Sequence, residues 1–189
     1  MSADPYCASA NQGDTSEPVL VVDQGGGLGE AFVYVASAAA VGGPPPQKAV
    51  VIDQEKCRYH PRVVGVQVNQ PLAFHNSDAT LHNVHAVPEL SKGFNIGMPT
   101  KGMNSMRKFS TPEVLVRIKC DVHPWMAAYV GVVAHPYFAV TGSDGAFRIA
   151  NVPAGEQTVE AAHPTLGTKS QTVVVPADGE VTVDFSFSK

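Results

Sequence analysis

Three side chains suited to a soft metal ion stand in one short run, Cys120-Asp121-Val122-His123-Pro124-Trp125-Met126: a thiol, an imidazole and a thioether, with two residues between successive members. A thiolate gives strong covalency, imidazoles fill a trigonal plane and a thioether makes a weak axial bond, which together form the donor set of a mononuclear type 1 copper site. A loop this short can offer three donors to one ion. The second imidazole must then come from elsewhere in the fold, and His75, His82 and His85 are the candidates.

Other metals suit these residues less well. Thioether is not a usual zinc ligand, and structural zinc prefers several thiolates or closed Cys/His sets. Haem attachment would need Cys-x-x-Cys-His, which the chain lacks. A dinuclear copper loop would need a second cysteine beside Cys120, and a carboxylate-ligated red site would not place Met126 in the axial position. The plainer account makes Cys120 a small buried hydrophobe and Met126 a core residue. It leaves His123 beside Pro124-Trp125-Met126, and the upstream histidines, without a reason.

The loop resembles that of the cupredoxins, and within them the amicyanin branch, which has the same short Cys-x-x-His-Pro-aromatic-Met form. Leu81-His82-Asn83-Val84-His85 resembles the family's upstream element, in which the ligand is the histidine followed directly by Asn. The resemblance implies one type 1 copper per chain held by His82, Cys120, His123 and Met126, with Asn83 tying the upstream loop to the cysteine loop. It further implies that His123 turns its far ring edge to solvent, with Pro124 and Trp125 beside it as a partner-docking surface and Tyr129 at the margin. The expected role is single-electron transfer and not catalysis, since a blue site has no open coordination position. A redox protein such as a c-type cytochrome or another copper protein is the implied partner, and the periplasm or the cell surface the location. The rival expectation is a copper-binding structural or assembly module of a larger complex or cell-surface array.

The elements that must hold these residues are strands. Seventeen Gly, fifteen Pro and short alternating runs favour an all-β chain, and no segment sustains a helical period. Runs at Pro18 to Asp23 and Ala31 to Ala36 precede the breaker Gly42-Gly43-Pro44-Pro45-Pro46. A second block runs from Ala49 through Arg62–Val68 and Leu72–Asn76, then a polar stretch from Pro88 to Arg107, then Glu113–Lys119 and Ala128–Val133. In Glu113–Lys119 the alternation puts Val114, Val116 and Ile118 inward, and Cys120 shares their parity. The boundaries read as an N-terminal β segment over residues 1–48 packing on one of the sandwiches, a cupredoxin-like Greek-key β-sandwich over 49–134, and a second small β-sandwich over 135–189.

That last block has strand-like runs at Ala146–Ala150, Gln157–Ala162, Gln171–Val175 and Glu180–Phe187. Through Val140-Thr141-Gly142-Ser143-Asp144-Gly145-Ala146-Phe147-Arg148-Ile149 and Val152-Pro153-Ala154-Gly155 it resembles the carboxypeptidase regulatory-like, transthyretin-type sandwich. That resemblance implies a structural or docking role.

A net charge of -4 with 16% charged residues provides no basic surplus for phosphates, so nucleic acid is not an expected partner. The longest nearly apolar stretch, Met126 to Ala134, is far below the roughly 20 residues of a membrane span. The opening Met1-Ser2-Ala3-Asp4-Pro5-Tyr6-Cys7 reads as the start of a mature or trimmed product. Cys7 and Cys57 remain as an even pair once Cys120 goes to metal, and in an oxidising compartment they close a disulfide; two separate buried thiols are the alternative. His60 reads as a loop histidine, and Met98, Met103 and Met106 as an adaptable loop over the core.

Overall fold

The computed structural model describes residues 4–12, 20–40 and 43–188. In chain order these form α1 (Pro5–Ala10), β1 (Phe32–Val35), β2 (Val50–Glu55), β3 (Arg58–His60), β4 (Val63–Gln67), β5 (Leu72–Asn76), β6 (His82–Val87), β7 (Phe94–Met98), β8 (Asn104–Arg107), β9 (Glu113–Lys119), β10 (Ala127–Val133), β11 (Phe138–Val140), β12 (Gly155–His163) and β13 (Gly167–Val175). The chain is nearly all-β, as its alternation requires. Among the described residues no helix is long and apolar enough to cross a membrane.

The chain divides into two compact units, one drawn from Met1–Pro18 and Pro44–Val133, the other from Val19–Gly43 and Ala134–Lys189. Residues 1–48, read from the sequence as one segment, are thus shared out: α1 belongs to the first unit and β1 to the second. The physical reasons are a covalent bond in one case and a ladder in the other. Cys7 of α1 is disulfide-bonded to Cys57, whereas β1 lies between β11 and β12 in one sheet.

In the first unit, two sheets share one core. One has the order β4-β10-β9-β6-β7 and the other β3-β2-β5-β8, with β10 parallel to β4 and β2 parallel to β5. Alternating β-branched and aromatic residues turn one side of each sheet inward. Ile52, Leu72 and Phe74 from one sheet, and Val84, Val116, Ile118 and Val130 from the other, are buried in a single cluster that also takes in Cys7, Cys57, Cys120 and Met126. At about 25 cal/mol per Å² of apolar surface, burial of each such side chain contributes about 1.5–3 kcal/mol. This is the scaffold on which the loops ride.

Two local expectations are corrected here. Val114 is 37% exposed, not inward, because Leu115 takes a positive φ of 59° and the β9–β10 register shifts between Val130 and Val132. The bulge adds a residue to β9, so the inward parity that reaches Cys120 starts only at Val116. The stretch from Pro88 to Arg107 is not all loop, since β7 and β8 lie in it, each pairing an edge of its sheet.

The second unit has one four-stranded sheet in the order β11-β1-β12-β13. Val33, Val159 and Ala161 form its buried cluster, against which Phe147, Ile149, Phe185 and Phe187 pack. The runs 146–150 and 180–187 keep their in–out alternation but join no ladder among the described residues. Of the run Pro18 to Asp23, the first two residues lie outside the described ones, and Val22 makes only an isolated bridge with Leu28.

Candidate metal centre

β9 ends at Lys119 and β10 begins at Ala127, so the loop of Cys120 to Met126 joins two adjacent antiparallel strands. Its neck is closed by the Cys120 N–H donating to Met126 O at 3.3 Å. Inside it the Met126 N–H donates to His123 O at 2.9 Å, and the His123 N–H points at Cys120 Sγ from 3.4 Å. These bonds curl the loop so that Cys120, His123 and Met126 all turn inward, at 1%, 1% and 0% exposure.

His82 arrives as the first residue of β6, fully buried. Its Nδ1 lies 2.9 Å from His123 Nδ1, and Cys120 Sγ is 3.8 Å from that same nitrogen. One donor atom each from His82, Cys120 and His123 falls within 4.8 Å of the others, a set that can hold a metal ion. The sequence-derived candidates thus separate cleanly. His75 bonds Asn104 at 2.7 Å on β5, and His85 points its Nδ1 at Asp121, 2.9 Å away, on the outer side of β6.

Asn83 sits between the two loops. Its Oδ1 accepts from the Asp121 N–H at 2.6 Å and lies 3.3 Å from Cys120 Sγ, while its Nδ2 donates to Asn95 Oδ1 and Asp121 Oδ2. Asp121 gathers further donors from Asn95, Lys119 and His85. The hydrogen bond from His85, then that from Lys119, hold its carboxyl well below the usual range. His85 is therefore a brace of the loop's outer wall. Tyr59 adds a strut from the other sheet, donating to Asn83 O at 2.7 Å, with burial as the first cause that drives its hydroxyl pKa up.

Two carboxylates complete the site, and neither was singled out by sequence reasoning. Asp78 Oδ2 lies 2.9 Å from His82 Nε2, and Asp4 Oδ2 lies 3.0 Å from His123 Nε2. Each imidazole is held by its far nitrogen, so its Nδ1 faces the common centre, the outer-sphere pattern of metal-binding histidines. Burial alone would push Asp78 up, but bonds from His82 and from the Cys57 and Lys56 N–H groups outweigh it and hold it below the usual range. Burial opposes charge on His82 as well, yet Asp78 and Cys120 raise it to about 9. For Cys120 the upward push of burial is overcome by the hydrogen bond with His82, and the thiol pKa falls. Without metal the two shifts reinforce each other, each group favouring the charged form of its neighbour. The one signal that could have marked Asp4 is the Asp4-Pro5 pair, an N-cap and first-turn pattern; nothing in the spacing of Asp78 marks it.

The expected solvent-facing edge of His123 is corrected by the same geometry. The ring is 1% exposed because α1, held by the Cys7–Cys57 disulfide, puts Asp4 over its Nε2. Trp125 is half-buried, its ring centroid 5.1 Å from that of His123 and its Nε1–H donating to Cys57 O at 3.0 Å. Pro124 is exposed.

No family model matches the sequence, and no curated protein does. Among solved structures the chain is similar to a methionine-to-alanine mutant of amicyanin in its Cu(I) form, at 26% identity over 44% of this chain and 81% of that one, with a TM-score of 0.40. It is also similar to a reduced tryptophan-to-tyrosine mutant of amicyanin, at 25% identity over 53% and 90%, with a TM-score of 0.41. A purple cupredoxin from Nitrosopumilus maritimus is similar at 25% identity over 39% and 80%, with a TM-score of 0.35.

Proposed function

We propose that the first unit is a cupredoxin-type domain that binds one type 1 copper and passes single electrons between redox proteins. The observation that carries this is the convergence of His82 Nδ1, His123 Nδ1 and Cys120 Sγ in a buried pocket, with Met126 buried three residues beyond His123. Two imidazoles, one thiolate and a thioether are the donor types of that site and of no common zinc site. When bound, copper supplies the one-electron couple, taking an electron from a donor as Cu(II) and giving it to an acceptor as Cu(I).

The chain's own residues do the rest. The Asn83–Asp121 network, the Tyr59 strut and the loop neck fix the donors, so little has to move when the charge changes. Burial of all four ligands leaves no path for a substrate, which supports a carrier over an enzyme. With His123 covered, the half-buried Trp125 tilted against it, next to exposed Pro124, is the route and landing surface for a partner of the c-type cytochrome or copper-protein kind. The Cys7–Cys57 disulfide supports an oxidising location, the periplasm or the cell surface. The second unit we read as a carboxypeptidase regulatory-like sandwich with a structural or docking role, on the strength of its turn motif at Gly142–Gly145 and its β11-β1-β12-β13 sheet.

One observation favours a second reading, a copper-holding assembly module: the covering of His123 by α1 slows exchange as well as protecting the metal. Titration with Cu(II) followed by voltammetry decides. The carrier reading expects one copper per chain, an intense visible thiolate charge-transfer band and fast reversible one-electron cycling. A copper complex without redox cycling supports the module, and absence of the band refutes the type 1 site.

A further inference from the structure

Asp4 does two things with one carboxylate. Its Oδ1 accepts the Cys7 N–H at 2.9 Å as the N-cap of α1, and its Oδ2 lies 3.0 Å from His123 Nε2. Cys7 is joined to Cys57, and both disulfide sulfurs lie within 4.8 Å of a ring nitrogen of His123. Asn11 closes the other end of α1, donating to Lys56 O at 2.9 Å and accepting from Arg58 at 2.6 Å. The same helix reaches the other imidazole: Tyr6 Oη donates to Asp78 Oδ1 at 3.2 Å, and Asp78 holds His82. A six-residue helix that touched the site by accident would not be fastened at both ends and aimed at both rings.

We propose that α1 is a working part of the copper centre, in which Asp4 is the positioning residue for His123. The proposal rests on the copper reading of His82, Cys120 and His123. A carboxylate accepting the Nε2–H keeps the proton on that nitrogen, leaves Nδ1 free as the donor, fixes the plane of the ring and makes it more electron-rich. A richer donor favours Cu(II) over Cu(I), so Asp4 lowers the reduction potential. The disulfide and the Asn11 contacts hold Asp4 in place, and hence act on the metal through it.

The test is Asp4→Ser in the full chain. Serine caps a helix about as well as aspartate, so α1 is kept, but its hydroxyl is too short to serve the cap and reach His123 together. Asp4→Asn also keeps the cap while removing the charge. Both variants are expected to retain the disulfide by mass and nearly the wild-type melting temperature. Their Cu(II) affinity should fall about 10- to 100-fold, the usual effect of losing such a partner, with a smaller loss for Cu(I). Each tenfold difference between the two losses raises the potential by about 59 mV. In the copper-free protein, ¹⁵N NMR should show His123 carrying its proton on Nε2 in the wild type and a mixture of tautomers in Asp4→Ser. Cys7→Ser with Cys57→Ser, which frees α1, should shift affinity and potential in the same direction. Wild-type copper affinity, potential and His123 signals in Asp4→Ser would overturn the proposal. A wild-type chain with no copper affinity would instead refute the reading beneath it, and the NMR signals of the copper-free protein separate the two failures.

Discussion

Replacing Asp78 by Asn exchanges one oxygen of a buried carboxylate for an amide NH₂ and is the sharpest single probe of the centre. Four donors converge on Asp78: the Lys56 N–H at 2.8 Å and Tyr6 Oη at 3.2 Å on Oδ1, and the Cys57 N–H at 2.7 Å and His82 Nε2 at 2.9 Å on Oδ2. In Asp78→Asn, an NH₂ in place of Oδ2 faces the Cys57 N–H, which cannot reverse, and His82 Nε2, which accepts only by giving up its proton and so the orientation that frees Nδ1 for the centre. Turned over, it faces Lys56 N–H and Tyr6, of which only the hydroxyl can reverse to accept. Loss of two charge-assisted bonds at about 1.5–3 kcal/mol each, in a buried ion pair whose rupture costs about 3–5 kcal/mol, puts the destabilisation at roughly 3–5 kcal/mol. For a chain of this size each kcal/mol lowers the melting temperature by about 2–4 °C, so a fall of about 6–20 °C is expected in the copper-free protein by thermal circular dichroism. Cu(II) affinity should fall along with it, because His82 loses the partner that orients it. A variant melting within about 2 °C of wild type and binding copper equally well would show that Asp78 does not hold His82 as described.

Cys120→Ser should abolish the visible band while His85→Ala keeps it, since His85 braces Asp121 and does not enter the donor set; the absorption spectrum checks both. Copper uptake should release protons: His82 is raised to about 9 without metal, so copper-binding affinity rises with pH and levels off above about 9, which a competition titration at stepped pH would show. The sign for stability is the opposite. A pKa raised in the fold stabilises fully below the unfolded value near 6.5 and is lost as pH rises through about 9, so the copper-free protein should melt lower at pH 9 than at pH 6. Trp125→Ala should leave the charge-transfer band nearly unchanged and slow electron exchange with a cytochrome or copper-protein partner in stopped flow; normal exchange would move the docking surface elsewhere. Ending the chain at Ala134 should yield an aggregating product by light scattering, because β1 then lacks both β11 and β12.

Much of this centre was legible in the residues. Cys120, His123 and Met126 announce themselves because their donor chemistry is rare in so short a run, and the parity of Val116 and Ile118 aims Cys120 inward. His82 was separable from His75 and His85 only through the adjoining Asn83, a resemblance and not a spacing rule. The bulge at Leu115 was hidden, since a positive φ at a leucine leaves no compositional trace. Asp4 and Asp78 were hidden because their partners lie across the fold: Asp4 meets His123 only after a disulfide folds the N-terminus back. The ladders of β7 and β8 were hidden by polar edge residues that pair on one side, and 146–150 and 180–187 alternate like strands without a ladder among the described residues, because alternation reports burial and not hydrogen bonding.

The shared sheet of β11, β1 and β12 makes the second unit a host, and residues 44–133, the larger part of the first unit, an insert between β1 and β11. A chain delivered from its N-terminus presents β1 before any strand that can pair with it, and residues 44–133 of the first unit must follow before β11 arrives. Until then Phe32, Val33 and Val35, all fully buried at the end, have only water or another chain to meet. The first unit, by contrast, has all four candidate donors and both halves of its disulfide in hand before the host can close. Assembly therefore runs inside out, with the metal-binding part finished first and the flanking sandwich acting as the last step that commits the chain.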